Sequence, residues 1–336
     1  MTDSTELKEK SETPWSADDA AFSARYTQFI APFWRDKVVN GYFSGKGNIQ
    51  IAYAFVINPH GIGSIAISSG RIETLLKYQE LVFNLYHAGF SVFIHDHRGQ
   101  GLSGRMTDNP QQGYVDSFSD YVEDFKTFFD TIISENSSHQ PVVIGHSMGG
   151  AIATQYILTY PNDFQKCVLS APMFGIKPAL PAWFANILLN THLIFNQWFS
   201  PTPWYFIGQS DYQNLPFEQN VLTSSRARYK VFRDQYEQQS QCKLGGVTAK
   251  WLLEAYRCMA YIYQHAADIK IPILVLQAGN DKVVDNNQQN KFLLRMRSAK
   301  VQIIENGKHE LFMEQELIRD KCLRETLNFL APIKKP

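Results

Sequence analysis

Short apolar runs of strand length alternate with segments of helical apolar spacing in this 336-residue chain, and that alternation leaves few architectures open. Residues 49–56 and 64–68 read as strands, joined by a turn at 58–63 that carries Asn58, Pro59, Gly61 and Gly63. Residues 74–87 follow, with Leu75, Tyr78, Leu81, Val82 and Leu85 at helical spacing and Gly89 just beyond. A strand at 91–95, a helix at 119–133, a short buried strand at 141–144 and a helix running from 150 to Tyr160, ahead of Pro161, continue the pattern. Further strands are expected at 168–170, 273–277 and 300–304. Strand alternating with helix means a mostly parallel sheet covered by helices on both faces, the α/β class, and the length suits one core with an insertion.

Between 173 and about 270 the alternation stops and aromatic residues crowd in: Trp183, Phe184, Phe195, Trp198, Phe199, Trp204, Tyr205 and Phe206. The segment reads as an inserted, largely helical cap. An aromatic stripe is more often core than ligand wall. An insertion after the strand ending at Ser170 nevertheless sits above the carboxyl edge of the sheet, where α/β sheets bind ligands, so Trp183 and Trp204 are kept as candidate pocket residues. The expected division is a flexible lead-in at 1–30, core at 31–172, cap at 173–270 and core again at 271–336.

Lysines plus arginines equal aspartates plus glutamates at 32 each, which offers no basic face for nucleic acid. The four cysteines, Cys167, Cys242, Cys258 and Cys322, form no C-x-x-C pair and read as buried thiols rather than a zinc site or a disulfide framework. The first twenty residues are polar and lack the apolar stretch of a secretion signal, which makes the cytoplasm the expected compartment. No run of about 18 apolar residues suggests a membrane span. Nothing in the sequence fixes an oligomeric state.

Gly145-His146-Ser147-Met148-Gly149 lies directly after one expected strand and directly before a helical run. A nucleophilic serine of the G-x-S-x-G kind sits on a strained strand-to-helix turn, and small residues two before and two after let the chain pass. A serine hydroxyl is a weak nucleophile until a base takes its proton and an acid holds that base in the right tautomer. In α/β-hydrolases the partners follow in the order serine, acid, histidine. Of the downstream histidines, His192 and His265 fall in or beside the cap, whereas His309 follows the last strand in a loop at the nucleophile's edge and is the expected base. Asp281, just past the strand at 273–277, is the expected acid, with Asp285 and then Glu305 as rivals. Charge on the tetrahedral intermediate calls for backbone donors: the N–H of Met148 and, from the loop after 64–68, that of Arg71. The Arg71 side chain could instead be a solvated charge.

Gly99-Gln100-Gly101-Leu102-Ser103-Gly104 matches G-x-G-x-x-G, but Asp108-Asn109-Pro110 breaks the chain where a dinucleotide site needs a helix, so the glycines read as turns. Asp96, His97 and Arg98 before it read as a hydrogen-bonded structural loop, and His146 as packing. No cofactor and no metal is expected.

These residues resemble the lysophospholipase L2 and monoacylglycerol lipase group of α/β-hydrolases. The likeness rests on Gly145-His146-Ser147-Met148-Gly149-Gly150, on the run from Ile94 to Gly104, on Ser68-Ser69-Gly70-Arg71-Ile72-Glu73, and on the loops around Asp281 and His309. Ser-Gly-Arg-Ile-Glu, where monoacylglycerol lipases carry a His-Gly pair, is more similar to the bacterial lysophospholipase L2 branch. The resemblance implies an α/β-hydrolase fold, Ser147, Asp281 and His309 as triad, Arg71 at the oxyanion loop, and a helical cap over an acyl pocket. It also implies a lipid ester substrate, action at the inner face of a membrane, and acyl transfer to another lipid beside hydrolysis. Within the cap, Arg226, Arg228 and Arg233 are spaced so that some share a helix face; a solvated face is the weightier reading, while a phosphate-facing role, with Arg228 as candidate, would suit a lysophospholipid. The alternatives are a monoacylglycerol lipase, a carboxylesterase on a small soluble ester, and a non-catalytic binder on a hydrolase scaffold.

Overall fold

The computed structural model describes residues 19–177 and 181–331. Eight strands form one sheet: β1 (Val39–Ser44), β2 (Gln50–Val56), β3 (Gly63–Ser68), β4 (Phe90–His95), β5 (Val142–His146), β6 (Lys166–Ser170), β7 (Ile273–Ala278) and β8 (Ala299–Ile304). Their order is β1-β2-β4-β3-β5-β6-β7-β8, with β1 and β2 antiparallel to their neighbours and the rest parallel, the mostly parallel sheet that the alternation predicts. The central strands β4, β5 and β7 are buried along their whole length, as parallel strands covered on both faces must be. The turn at 58–63 does not join partners: β4 lies between β2 and β3.

Register decides where the chemistry sits. Ser68 pairs with Gly145, His146 with Ser170, Ser170 with Leu276, and Ala278 with Ile304, so β3, β5, β6, β7 and β8 all end at one edge of the sheet, the last two reaching two residues further. The chain order reverses between β3 and β5, which opens a crevice at that edge.

Among the described residues, three α-helices stand between β6 and β7: Ala182–Phe199, Arg226–Gln238 and Ala249–His265. The second and third begin on oxygen-bearing caps, Ser225 accepting from Arg228 N–H at 3.2 Å and Thr248 from Trp251 N–H at 3.2 Å. The helix Ala249–His265 presents Trp251, Ala255, Cys258, Met259 and Ile262 to the main core beside the sheet. The helix Arg226–Gln238 instead builds a small cluster of its own with Tyr229, Phe232, Tyr236 and Cys242.

The lead-in differs from expectation. Residues 1–18 lie outside the described residues, but a helix at Asp19–Arg25 and a π-helical stretch Tyr26–Ile30 occupy part of the segment expected to be flexible, and a further helix, Ala31–Lys37, opens the segment expected to be core. Phe22 and Ile30 are buried, and the Tyr26 hydroxyl donates to Gln79 at 2.6 Å and accepts from Gln235 at 2.7 Å, which ties this segment to the core and to the insertion at once. The expected helix at 74–87 opens with a 3-10 turn, Leu75–Tyr78, before the α-helix Gln79–His87. All four cysteine thiols are buried and unpaired.

Candidate active site

Ser147 sits between β5 and the helix Met148–Thr159 with φ 50° and ψ −118°, a left-handed conformation that a non-glycine residue holds only when its surroundings enforce it. The flanking strands supply the enforcement: Ser147 N–H donates to the Ser170 carbonyl at 3.0 Å, and the Ser147 carbonyl accepts from Met173 N–H at 2.9 Å. Gly149 is required because a Cβ there would run into the Ser68 carbonyl, and one at Gly145 would lie 2.7 Å from the Gly149 carbonyl oxygen.

His309 Nε2 is 2.9 Å from Ser147 Oγ, and His309 Nδ1 is 2.8 Å from Asp281 Oδ2. The three side chains come from the ends of β5, β7 and β8 and are buried together. The other oxygen of Asp281 accepts from the N–H groups of Val283 at 2.8 Å and Val284 at 3.0 Å. Burial alone would raise this carboxyl, but the His309 hydrogen bond and charge and the two N–H donors hold it below the usual aspartate value, so it is a fixed acceptor for His309. The acid loop and the histidine loop are stitched together by Gly279 N–H to the Ile304 carbonyl and Asn280 N–H to the Gly307 carbonyl, both at 2.9 Å. Asp285, the rival acid, caps the helix Asn286–Leu293 by accepting from Asn287 N–H at 2.9 Å, and Glu305 is exposed.

Met148 N–H opens its helix and so has no intrahelical acceptor. The Gly70–Arg71 peptide faces the same crevice, and its carbonyl accepts from Gln100 Nε2 at 2.7 Å. A trans peptide directs its N–H opposite to its carbonyl, so this bond turns the Arg71 N–H away from Gln100. Glu73 holds the loop from the other side by accepting from Gly70 N–H and the Tyr78 hydroxyl, while Lys77 Nζ bridges Glu73 at 2.8 Å and Glu310 at 2.5 Å. The Arg71 side chain is no solvated charge: it is half-buried, donates to the Gly245 carbonyl at 3.0 Å and lies over the Trp251 ring.

Two cavities meet at Ser147 and Arg71. One, of about 460 Å³, is walled mainly by apolar side chains including Met173, Leu189, Phe206, Trp251 and Tyr256, and Met148 lies on its wall. The other, of about 430 Å³, has charged side chains on its wall and is lined by His309 together with Glu73, Lys77, Tyr212, Arg233 and Glu310.

The remaining candidates are placed elsewhere. Arg228, expected on a solvated or phosphate-facing surface, is buried and clasps Glu80 with Nε at 2.8 Å and an amino nitrogen at 2.9 Å; the helix turns it inward toward the core, outside both cavities. Trp183 is 67% exposed and Trp204 packs near His192; neither lines either of the two cavities at Ser147. His265 pairs with Asp268 at 3.1 Å on the surface. Asp96 accepts from the N–H groups of Leu75 and Leu102, His97 bonds Ser68 at 3.2 Å, and Arg98 bonds Asp124 at 2.6 Å, so that loop is tied to the end of β3, to the turn Leu75–Tyr78 and to the helix Ser119–Phe128. His146 also does more than pack: its ring lies 4.9 Å from that of His309 and its Nδ1 is 3.1 Å from the Ser170 carbonyl. Trp251 and Tyr256, which line the apolar cavity, were masked in the sequence by a helix pattern equally suited to core.

The profile of the family described as serine aminopeptidase, S33, matches residues 59–316. The chain is 33% identical to lysophospholipase L2 of Escherichia coli strain K12 over 334 residues, covering 96% of each protein. It is 25% identical to the monoacylglycerol lipase of Mycolicibacterium smegmatis over 281 residues, covering 82% of this chain and 91% of that one. A carboxyl esterase from Bacillus coagulans, solved in complex with glycerol, superposes with a TM-score of 0.68 at 17% identity, covering 88% of this chain and 98% of that one, and shares the fold.

Proposed function

Since the chain belongs to the serine aminopeptidase S33 family of α/β-hydrolases, in the branch that holds lysophospholipase L2, we propose that it hydrolyses the acyl ester of a single-chain lipid, a lysophospholipid, through an acyl-enzyme. The observation that carries this reading is the hydrogen-bonded line Ser147–His309–Asp281 at the seam of two cavities, one with a mainly apolar wall and one that also carries charged side chains. His309 Nε2 takes the Ser147 proton as Oγ attacks the ester carbonyl. The N–H groups of Met148 and Arg71 receive the charge that develops on the carbonyl oxygen, and His309 returns the proton to the departing alcohol. Of the two cavities His309 borders only the one with charged side chains on its wall, which fits release of the alcohol there, and the other suits the acyl chain. Water, activated by His309 in turn, hydrolyses the acyl-enzyme; an alcohol of a second lipid in its place would make the step a transfer.

Residues 173–270 are read as the cap, and the helix Ala182–Phe199 as its face toward the membrane. That helix contains no Asp, Glu, Lys or Arg, and Trp183, Ile187, Trp198 and Phe199 stand 59–73% exposed on it. No helix among the described residues is long and apolar enough to cross a membrane, so the reading is attachment to a lipid surface.

Replacing Ser147→Ala is expected to lower turnover of lysophosphatidylethanolamine and of p-nitrophenyl esters on the order of a million-fold and to abolish labelling by a fluorophosphonate. Undiminished turnover in that variant would remove the mechanism. A folded wild-type protein that never takes the label would favour a binding protein, and a preference for monoacylglycerol over every lysophospholipid would move the substrate to that class.

A further inference from the structure

The cavity with the mainly apolar wall does not end in solid packing. A further cavity, of about 440 Å³, lies behind it, and Ile176 and Tyr256 stand on the walls of both. One face of the helix Ala249–His265 runs through the two: Leu252 and Tyr256 line the first, and Tyr256, Met259, Ala260 and Tyr263 line the second. These positions recur at helical spacing, so they form one stripe, and from Leu252 to Tyr263 it covers about 17 Å at a rise of about 1.5 Å per residue. Across from the stripe, Phe292 stacks on Phe174 at 4.8 Å and meets Tyr263 at 5.3 Å. Among the described residues, Lys291 is the one charged side chain on the second cavity, and it is exposed. The cavity opens outward, since Pro181, Ala260 and Tyr263 on its wall are exposed as well, and Pro181 is the N-cap of the helix Ala182–Phe199.

The two residues between the cavities are held differently. Ile176 is pinned to the acid loop: it bridges Val284, the Gly175 carbonyl accepts from Asp285 N–H at 3.1 Å, and Lys177 N–H donates to the Val283 carbonyl at 3.0 Å. Tyr256 is half-buried and packs against the main core and against the small cluster of Leu189, Ala249 and Leu253. Its hydroxyl has no hydrogen-bond partner among the described residues, and burial is the sole cause that raises its phenol. A tyrosine in an apolar wall ordinarily anchors its hydroxyl. This ring is kept in place by packing alone, so a hydrocarbon chain pressing on it turns it without breaking a polar contact.

We propose that Tyr256 sets the length of acyl chain the site accepts: its ring closes the cavity beside Ser147, and a chain too long for that cavity turns the ring aside and continues into the second. This rests on the hydrolase reading above and adds what that reading leaves open, the chain length. A short chain meets only walls that stay fixed. A long one gains apolar contact beyond Tyr256 and loses the packing of the displaced ring, so the residue weighs on long chains alone. The tail of such a chain emerges beside Pro181, next to the exposed Trp183 and Phe184 of the helix read as the membrane face.

Binding of the bare fatty acid separates chain length from turnover and from the headgroup. In the Ser147→Ala protein, dissociation constants are measured by calorimetry for octanoate and tetradecanoate, below the concentration at which either forms micelles. Adding Tyr256→Ala is expected to tighten tetradecanoate about tenfold relative to octanoate, and Tyr256→Trp to move the ratio the other way. Tyr256→Phe, which keeps the ring and drops a hydroxyl that bonds nothing, should leave the ratio where it is. Ala260→Trp, which fills the second cavity from its rim, should cancel the gain in the Tyr256→Ala background without touching octanoate. Equal shifts for the two acids in the Tyr256→Ala and Tyr256→Trp proteins, or none, would overturn the gate. So would failure of tetradecanoate to bind, or a gain that survives Ala260→Trp. The hydrolase reading stands or falls separately, on the turnover of the Ser147→Ala protein.

Discussion

At the scale of single residues, the proposed triad was readable because its chemistry forces residue type and order. A serine on an elbow needs a histidine and an acid downstream, and only His309 stood in a loop at the right edge. Asp281 and Asp285 were separable only in three dimensions, where one carboxylate faces His309 and the other caps a helix. Arg228 and Arg233 show the limit from the other side. They lie five positions apart on one helix, and sequence spacing says which residues share a face but not which face meets a cavity. The same holds for Gln100, which sits in a glycine-rich stretch that reads as turn and yet clamps the Gly70 carbonyl. Gln100→Met keeps the bulk and removes the donor, freeing the Gly70–Arg71 peptide to rotate. The expected outcome is a kcat lower by about 10- to 100-fold with KM little changed, and weaker binding of a trifluoromethyl ketone transition-state analogue. Parallel losses in KM and thermal stability, with the analogue's affinity intact, would mean that the residue only supports the fold.

At the scale of elements, the covered strands were legible because burial on both faces writes them as continuous apolar runs. The edge strand β1 was not: it is largely exposed, and its residues Val39–Ser44 carry no such run. The short N-terminal helices also escaped, since their stability comes from docking of Phe22 and Tyr26 on distant partners rather than from a long periodic pattern. The helix Ala182–Phe199 was read correctly as aromatic-rich, but its largest rings point out instead of over the site. If that face enters a lipid surface, Trp198→Glu combined with Phe199→Glu should cut partitioning onto anionic liposomes by tenfold or more, measured by sedimentation. Unchanged partitioning would mean that another surface, or none, meets the bilayer.

At the scale of the whole molecule, three buried histidines tie stability to acidity. His95, His97 and His146 are nearly inaccessible; burial holds His97 and His146 down to about 4, from 6.5, and drives His95 lower as well. Glu73, 3.8 Å from His146, pulls that ring the other way without overcoming burial. The sign follows from linkage: between pH 6.5 and about 4 the unfolded chain binds protons that the native state refuses, so stability is full above this window and falls as pH drops through it. Each histidine adds a slope of about 1.4 kcal/mol per pH unit within it. Urea unfolding across that range should show the decline, and His97→Asn should shallow it by one proton; a flat profile would mean that these imidazoles stay protonated in the folded state. None of this could be foreseen from the sequence, where a histidine beside Asp96 or Ser147 looks like chemistry and its burial is set by strands far away in the chain.

The unpaired cysteines, finally, make the protein its own motion sensor. Cys242 belongs to the small cluster under the helix Arg226–Gln238, whereas Cys167 lies inside β6 and Cys322 on the buried face of the helix Glu316–Leu330. An alkylating reagent that reaches the first long before the other two reports lifting of the insertion alone, and one that reaches all three together reports collapse of the sheet, without any foreign probe being attached.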